Sequence, residues 1–138
     1  MTRDDVVDAA RKYIGSRFRW GGRDRVKGID CVGLLVLVGR EFGQEISDPQ
    51  KYRQMHDTKL FLNTIRTQSL EANMRALRPG NIVLLKDGAF PFHCGIVAKR
   101  DNGLTIINSN MKLRKVVEQD AYDWRDAIIE ARDFVGVV

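Results

Sequence analysis

The sequence predicts an α+β domain, with helices from the N-terminal half packed on one antiparallel β-sheet from the C-terminal half. Apolar residues recur at helical spacing up to about residue 72. Short apolar runs bounded by turn residues take over from Ile82. Two of those runs flank Arg100-Asp101-Asn102-Gly103, a hairpin signal that makes them antiparallel neighbours. At 138 residues, 43% hydrophobic and 30% charged, the chain is read as a single domain, 1–138, long enough for a real core.

Residues Asp4 to Ile14 read as an amphipathic helix. Val6, Val7, Ala10 and Ile14 share a face, with Asp4, Asp5 and Asp8 early and Arg11 and Lys12 late, as the helix dipole favours. Gly15-Ser16 ends it. Arg17 to Gly22 is an extended piece and a tight turn. Arg17, Arg19, Arg23, Arg25 and Lys27 crowd this loop, which is either a solvated basic surface or the border of a cleft that attracts carboxylates.

Gly28-Ile29-Asp30-Cys31-Val32-Gly33-Leu34-Leu35 then reads as a turn, an N-cap and the start of an apolar helix to Phe42, with Gly43 as its C-cap. A helix apolar on most sides is a buried one. Asp30 as N-cap puts Cys31 among the unpartnered N–H groups at the positive end of the helix, where a thiol ionises more readily. Gln44 to Asp57 reads as a loop, and His56 within it as a surface histidine rather than a catalytic one. Thr58 to Ala72 reads as a helix and Leu77 to Asn81 as a turn. About five strands follow: Ile82–Leu85, His93–Ala98, Leu104–Asn108, a piece at Lys115–Glu118, and Phe134–Val138. Trp124 and Ile128-Ile129 are apolar anchors between the last two.

A cysteine nucleophile needs an imidazole to take and return its proton, and a third group to orient the imidazole. His93 opens a strand that hairpins with Leu104–Asn108, which brings the Asn108 amide beside the ring. The expected set is Cys31, His93 and Asn108. Cys94 adjoins His93, but strand alternation points it to the opposite face, so it reads as core packing. The cysteines form no zinc pattern or disulfide framework; a single Cys31–Cys94 disulfide stays open beside the free-thiol reading. No metal or cofactor is called for.

The net charge of +5 and pI near 9.5 favour anionic partners such as cell-wall polymer, nucleic acid or lipid headgroups. No nucleic-acid motif accompanies the charge, and no apolar run approaches the length of a membrane span. Met1 to Asp5 is polar and acidic with no apolar stretch behind it, so the expectation is synthesis in the cytoplasm without a signal peptide.

The chain resembles the NlpC/P60 cysteine peptidases, compact papain-like enzymes that cleave peptide bonds in bacterial peptidoglycan. The matching pieces are Trp20-Gly21-Gly22, Gly28 to Leu34 around the nucleophile, Leu77 to Val83, His93 to Val97 around the base, and Ile107-Asn108-Ser109. The resemblance implies the papain-like NlpC/P60 fold, with the nucleophile helix on the sheet. It also implies Cys31, His93 and Asn108 as the catalytic set and the Cys31 backbone N–H as an oxyanion donor. Phe18, Trp20, Asp30 and Val32 are the implied substrate-binding positions, and a peptidoglycan peptide is the implied partner. This chain has Val32 where the family usually has Ser, Phe18 where Tyr is common, and Asn108 where His is frequent. The short length, Val116-Val117-Glu118 and Trp124 are similar to the phage-tail-associated branch, which implies a virion-tail enzyme acting at the bacterial cell wall, in wall penetration or tail-tip assembly, with other tail proteins as partners. The alternatives are a catalytically weak or inactive structural tail component, an antibacterial cell-wall amidase effector and, as a minor reading, an acyltransferase.

Overall fold

The computed structural model describes residues 1–44, 46, 58–88 and 90–138. Helix α1 (Arg3–Arg11) starts at a capping box, in which the Thr2 hydroxyl accepts from the Asp5 N–H at 3.1 Å and the Asp5 carboxylate accepts from the Thr2 N–H at 2.8 Å. It ends earlier than the apolar spacing suggests. Tyr13 and Ile14 donate three residues back, and Gly15, at φ +93°, donates to the Val116 carbonyl at 2.9 Å. Strands β1 (Arg23–Asp24) and β2 (Gly28–Ile29) form a small antiparallel ribbon. The Asp24 carboxylate shapes its turn by accepting from the Val26 and Lys27 N–H groups, each at 2.8 Å.

Helix α2 (Cys31–Glu41) follows at once and is buried along most of its circumference. Val32, Val36 and Val38 are poor helix formers by intrinsic propensity. Each is at most 3% exposed, and burying such a side chain is worth about 1.5–3 kcal/mol, which outweighs the propensity cost. Gly43 at φ +74° closes the helix.

Helix α3 (Thr58–Arg66) does not run to Ala72. Thr67, Gln68 and Ser69 turn their side chains back onto the carbonyls of Asn63, Thr64 and Ile65, at 2.7, 2.9 and 2.6 Å, and the last two of these take over acceptors that further helix would use. The chain then enters β3 (Ser69–Ala72). Strands β4 (Ile82–Asp87), β5 (Phe90–Arg100), β6 (Gly103–Asn110), β7 (Lys115–Asp120) and β8 (Ile128–Phe134) complete the main sheet. Its order is β3-β8-β4-β5-β6-β7, with every neighbour antiparallel.

Among the described residues the main sheet thus has six strands, against an expectation of about five. The additional strand is β3, read from sequence as helix. The last strand begins at Ile128 and ends at Phe134, instead of running from Phe134 to Val138. Phe134 is the anchor, 2% exposed, while Val135 and Val138 are exposed and Gly136 turns at φ +87°.

The sheet is covered on both faces. One face carries Leu84, Cys94, Ile96 and Ile107 against α1 and α2, and the other packs Val83, Leu85, Val97 and Ile106 against Trp124 and Ile128. Burial on both sides explains why Ile82 to Leu85 is uniformly apolar instead of alternating. Among the described residues, no helix is long and apolar enough to cross a membrane.

Candidate active site

Asp30 organises the entrance to α2. It has no exposed surface, and Oδ1 accepts from the Gly33 N–H at 2.8 Å, which caps the helix. The same oxygen pairs with Arg23 at 3.0 Å, and Oδ2 accepts from the Gly21 N–H at 2.7 Å. Arg23 also donates to the Gly22 carbonyl at 2.8 Å, and its side chain is only 7% exposed. The basic loop therefore divides. Arg23 turns inward to neutralise the buried carboxylate, whereas Arg17, Arg19, Arg25 and Lys27 are exposed. Two glycines permit this packing. A Cβ on Gly22 would lie 2.2 Å from the Gly28 carbonyl oxygen, and one on Gly33 would lie 2.4 Å from that of Gly22.

Cys31 is the first residue of α2 and is 2% exposed. Consecutive residues of β5 reach it, since both His93 and Cys94 hydrogen-bond to its side chain. The Cys31 thiol is lowered to about 6, by hydrogen bonding from Cys94 foremost, against the opposing effect of burial, and then by His93. Burial and the neighbouring Cys31 anion push the Cys94 thiol well up, so the two sulfurs share one readily lost proton and Cys31 is the one that gives it up. Burial alone would lower His93. The Cys31 thiolate, the Asn108 amide and the more distant Asp87 reverse that and raise it. Near neutral pH this arrangement favours a thiolate–imidazolium pair, a nucleophile beside a proton donor.

The other side of the ring is held by side-chain amides. His93 Nε2 lies 2.9 Å from Asn108 Oδ1, with His93 6% exposed and Asn108 fully buried. Asn108 Nδ2 donates to Gln119 Oε1 at 2.9 Å and to the Ile106 carbonyl at 3.3 Å, which fixes the amide with its oxygen toward the ring. A carbonyl oxygen facing Nε2 requires the proton there, and Nδ1 is left for Cys31. Asn110 donates to the same Asn108 oxygen at 3.3 Å. Trp124 lies across His93 with ring centroids 5.6 Å apart and planes tilted by 34°. Beside this network opens a cleft of about 430 Å³, lined by Asp87, Asn110, Lys112, Gln119 and Trp124 among others. A Lys112–Asp87 ion pair at 3.7 Å stands at its edge.

The expected site residues thus fall into two groups. Cys31, His93 and Asn108 come together. Phe18 and Trp20 sit half-buried near the nucleophile loop as an edge-to-face pair, with centroids 4.9 Å apart. Asp30 and Val32 are buried: Asp30 lies behind the helix entrance, and Val32 is 3% exposed among Leu35, Val36 and Ile65 around a small apolar cavity. Their position in the first turn of α2 turns both inward. Cys94 does lie opposite His93 and is fully buried, as alternation predicts, but its face is the one that carries α2, so its thiol meets Cys31. Both cysteines are free. Gln119 and the inward role of Arg23 escape sequence reading, because neither belongs to a motif and both depend on pairings between segments. His56 lies outside the described residues.

A cysteine at a helix entrance, facing a sheet-borne histidine and amide, belongs to the papain-like class of α+β folds. Residues 15–133 match the NlpC/P60 family model, and the chain belongs to that family. Its fold is similar to that of the NlpC/p60 domain of the peptidoglycan hydrolase SagA, at TM-score 0.72 and 17% identity, over 97% of this chain and 100% of that one. An NlpC/P60 family protein from Bacillus cereus aligns at TM-score 0.70 and 17% identity, over 98% of this chain and 41% of its own. An N-acetylmuramoyl-L-alanine amidase from Bacteroides uniformis aligns at 0.60 and 12% identity, over 94% and 96%. No curated protein matches the chain.

Proposed function

We propose that this chain is a cysteine peptidase that hydrolyses amide bonds in the stem peptides or crossbridges of bacterial peptidoglycan. The observation that carries the reading is the continuous path from the Cys31 sulfur through the His93 ring to the Asn108 oxygen, 2.9 Å from Nε2. Cys31 attacks the scissile carbonyl and forms a thioester. His93 then passes its Nδ1 proton to the departing amine and afterwards draws one from the incoming water. The Cys31 backbone N–H, in the first turn of α2, has no intrahelical acceptor and is suited to the oxyanion. The match to the NlpC/P60 family, with the fold likeness to the NlpC/p60 domain of a peptidoglycan hydrolase and to an N-acetylmuramoyl-L-alanine amidase, supports the substrate class.

The proposal extends to a phage-tail setting, with the enzyme made in the cytoplasm, carried on the virion and acting at the cell wall. This rests on the likeness of Val116-Val117-Glu118 and Trp124 to the tail-associated branch. Mass analysis of muropeptides released from several purified walls tests the chemistry. Wild type is expected to release new peptides, and Cys31→Ala none above background, a drop of about 10⁴-fold or more. Equal release by the two proteins would end the peptidase reading. Absence of the chain from purified virions of its host would end only the tail assignment.

A further inference from the structure

We propose that Trp124 and Gln119 set the tautomer of His93, acting as positioning residues through Asn108. The proposal rests on the reading of Cys31 and His93 as the reactive pair and adds what decides the direction of proton traffic between them. The indole N–H of Trp124 can only donate. It lies 3.0 Å from Gln119 Oε1, so the Gln119 amide must present its oxygen. That oxygen, 2.9 Å from Asn108 Nδ2, makes the Asn108 amide present its NH₂ to Gln119 and its oxygen to the ring. The oxygen, 2.9 Å from His93 Nε2, in turn calls for a proton on Nε2 and leaves Nδ1 as the nitrogen that exchanges its proton with Cys31. Each link has one solution once Trp124 is a donor.

Without that fixed end, Gln119 can rotate, and Asn108 can rotate with it against weaker restraints. The flipped pair would offer Asn108 NH₂ to the ring, move the proton to Nδ1 and point it at Cys31, where a neutral imidazole could no longer act as a base. The remaining restraints on Asn108 are two longer bonds, each 3.3 Å: Nδ2 to the Ile106 carbonyl, and Oδ1 from Asn110 Nδ2. His93 and Asn108 are buried, so the energetic cost of a wrong donor–donor contact is not relieved by water.

The test is ¹⁵N NMR of the ring nitrogens in ¹⁵N-histidine protein at alkaline pH. Only two histidines are present, and a His56→Gln background leaves His93 alone. Wild type is expected to show the Nε2–H form. Trp124→Phe keeps a ring over His93 and removes the donor; Gln119→Leu removes the acceptor. Both are expected to give mixed tautomers and about a tenfold fall in kcat at unchanged KM, while Gln119→Glu, which can only accept, retains Nε2–H. An unchanged Nε2–H signal in folded Trp124→Phe and Gln119→Leu would overturn the proposal. Because the NMR readout needs no substrate, a tautomer change in a protein that cuts no peptidoglycan would uphold the positioning role and remove only the peptidase reading.

Discussion

Cys31 and His93 are held in place by different means. The nucleophile's frame is local: Asp30 gathers the N–H groups of Gly21 and Gly33 and the guanidinium of Arg23, all from the same short stretch of chain. The base's frame is assembled across strands, from Asn108 on β6, Gln119 on β7 and Trp124 beyond it. Backbone and glycine contacts dominate the first, and side-chain amides dominate the second. A frame of backbone contacts leaves no room for an added atom, so damage to it is felt as lost stability. Side-chain amides fail differently: they lose orientation while the sheet beneath them stays intact.

Substitutions at three positions would separate the frames. The largest effect is expected from His93→Ala, which should cut hydrolysis by about 10⁴-fold. The urea midpoint should move little, because the substitution leaves the backbone pairing of His93 with Leu85 on β4 in place. A collapse of the fold instead would mean that the base's frame is also structural. Gly33→Ala should do the converse. Its Cβ meets a backbone oxygen at 2.4 Å, so the loop at Gly22 must move, at a cost of about 3 kcal/mol in denaturant unfolding. The smallest effect is expected where the frames meet, at Cys94. Its S–H donates to the Cys31 sulfur and favours the thiolate, so removing it must raise the Cys31 thiol. The pH midpoint for iodoacetamide alkylation of Cys31 should lie near the value of about 6 in wild type and move to higher pH in Cys94→Ala. Cys94→Ser, which keeps a donor, should move less. An unshifted midpoint in both would show that His93 alone sustains the thiolate.

The same contrast decides what was legible in the sequence. The Asp30 cap, the start of α2 at Cys31 and the glycine that closes it are signalled by neighbours in the chain, and the sequence shows them directly. Asn108 beside His93 was legible because a short hairpin turn at Asp101-Asn102 couples their strands. Gln119 was not, since its place depends on the β6–β7 register, Ile106 opposite Gln119, which no residue pattern announces. Helix α3 was read too long because Thr67, Gln68 and Ser69 are tolerable helix residues, and only their bonds back to the preceding turn end it. Phe134-Val135-Gly136-Val137-Val138 was read as a strand on apolarity alone, whereas Phe134 is the only one of them in a strand. Cys94 shows a further limit: alternation gave its face correctly, but not that α2 would deliver the nucleophile to that face.

Strand β6 carries one residue for each frame in succession. Asn108 reaches the imidazole, and the next residue, Ser109, turns the other way and donates its hydroxyl to the Ile29 carbonyl at 2.7 Å, one position before the cap. Insertions and deletions are therefore tolerated very unevenly along this hairpin. Extra residues at the Asp101-Asn102 tip leave the ladder untouched. A single residue gained or lost between Thr105 and Asn108 would exchange the two faces, detaching the imidazole's partner and the nucleophile's tether in one event.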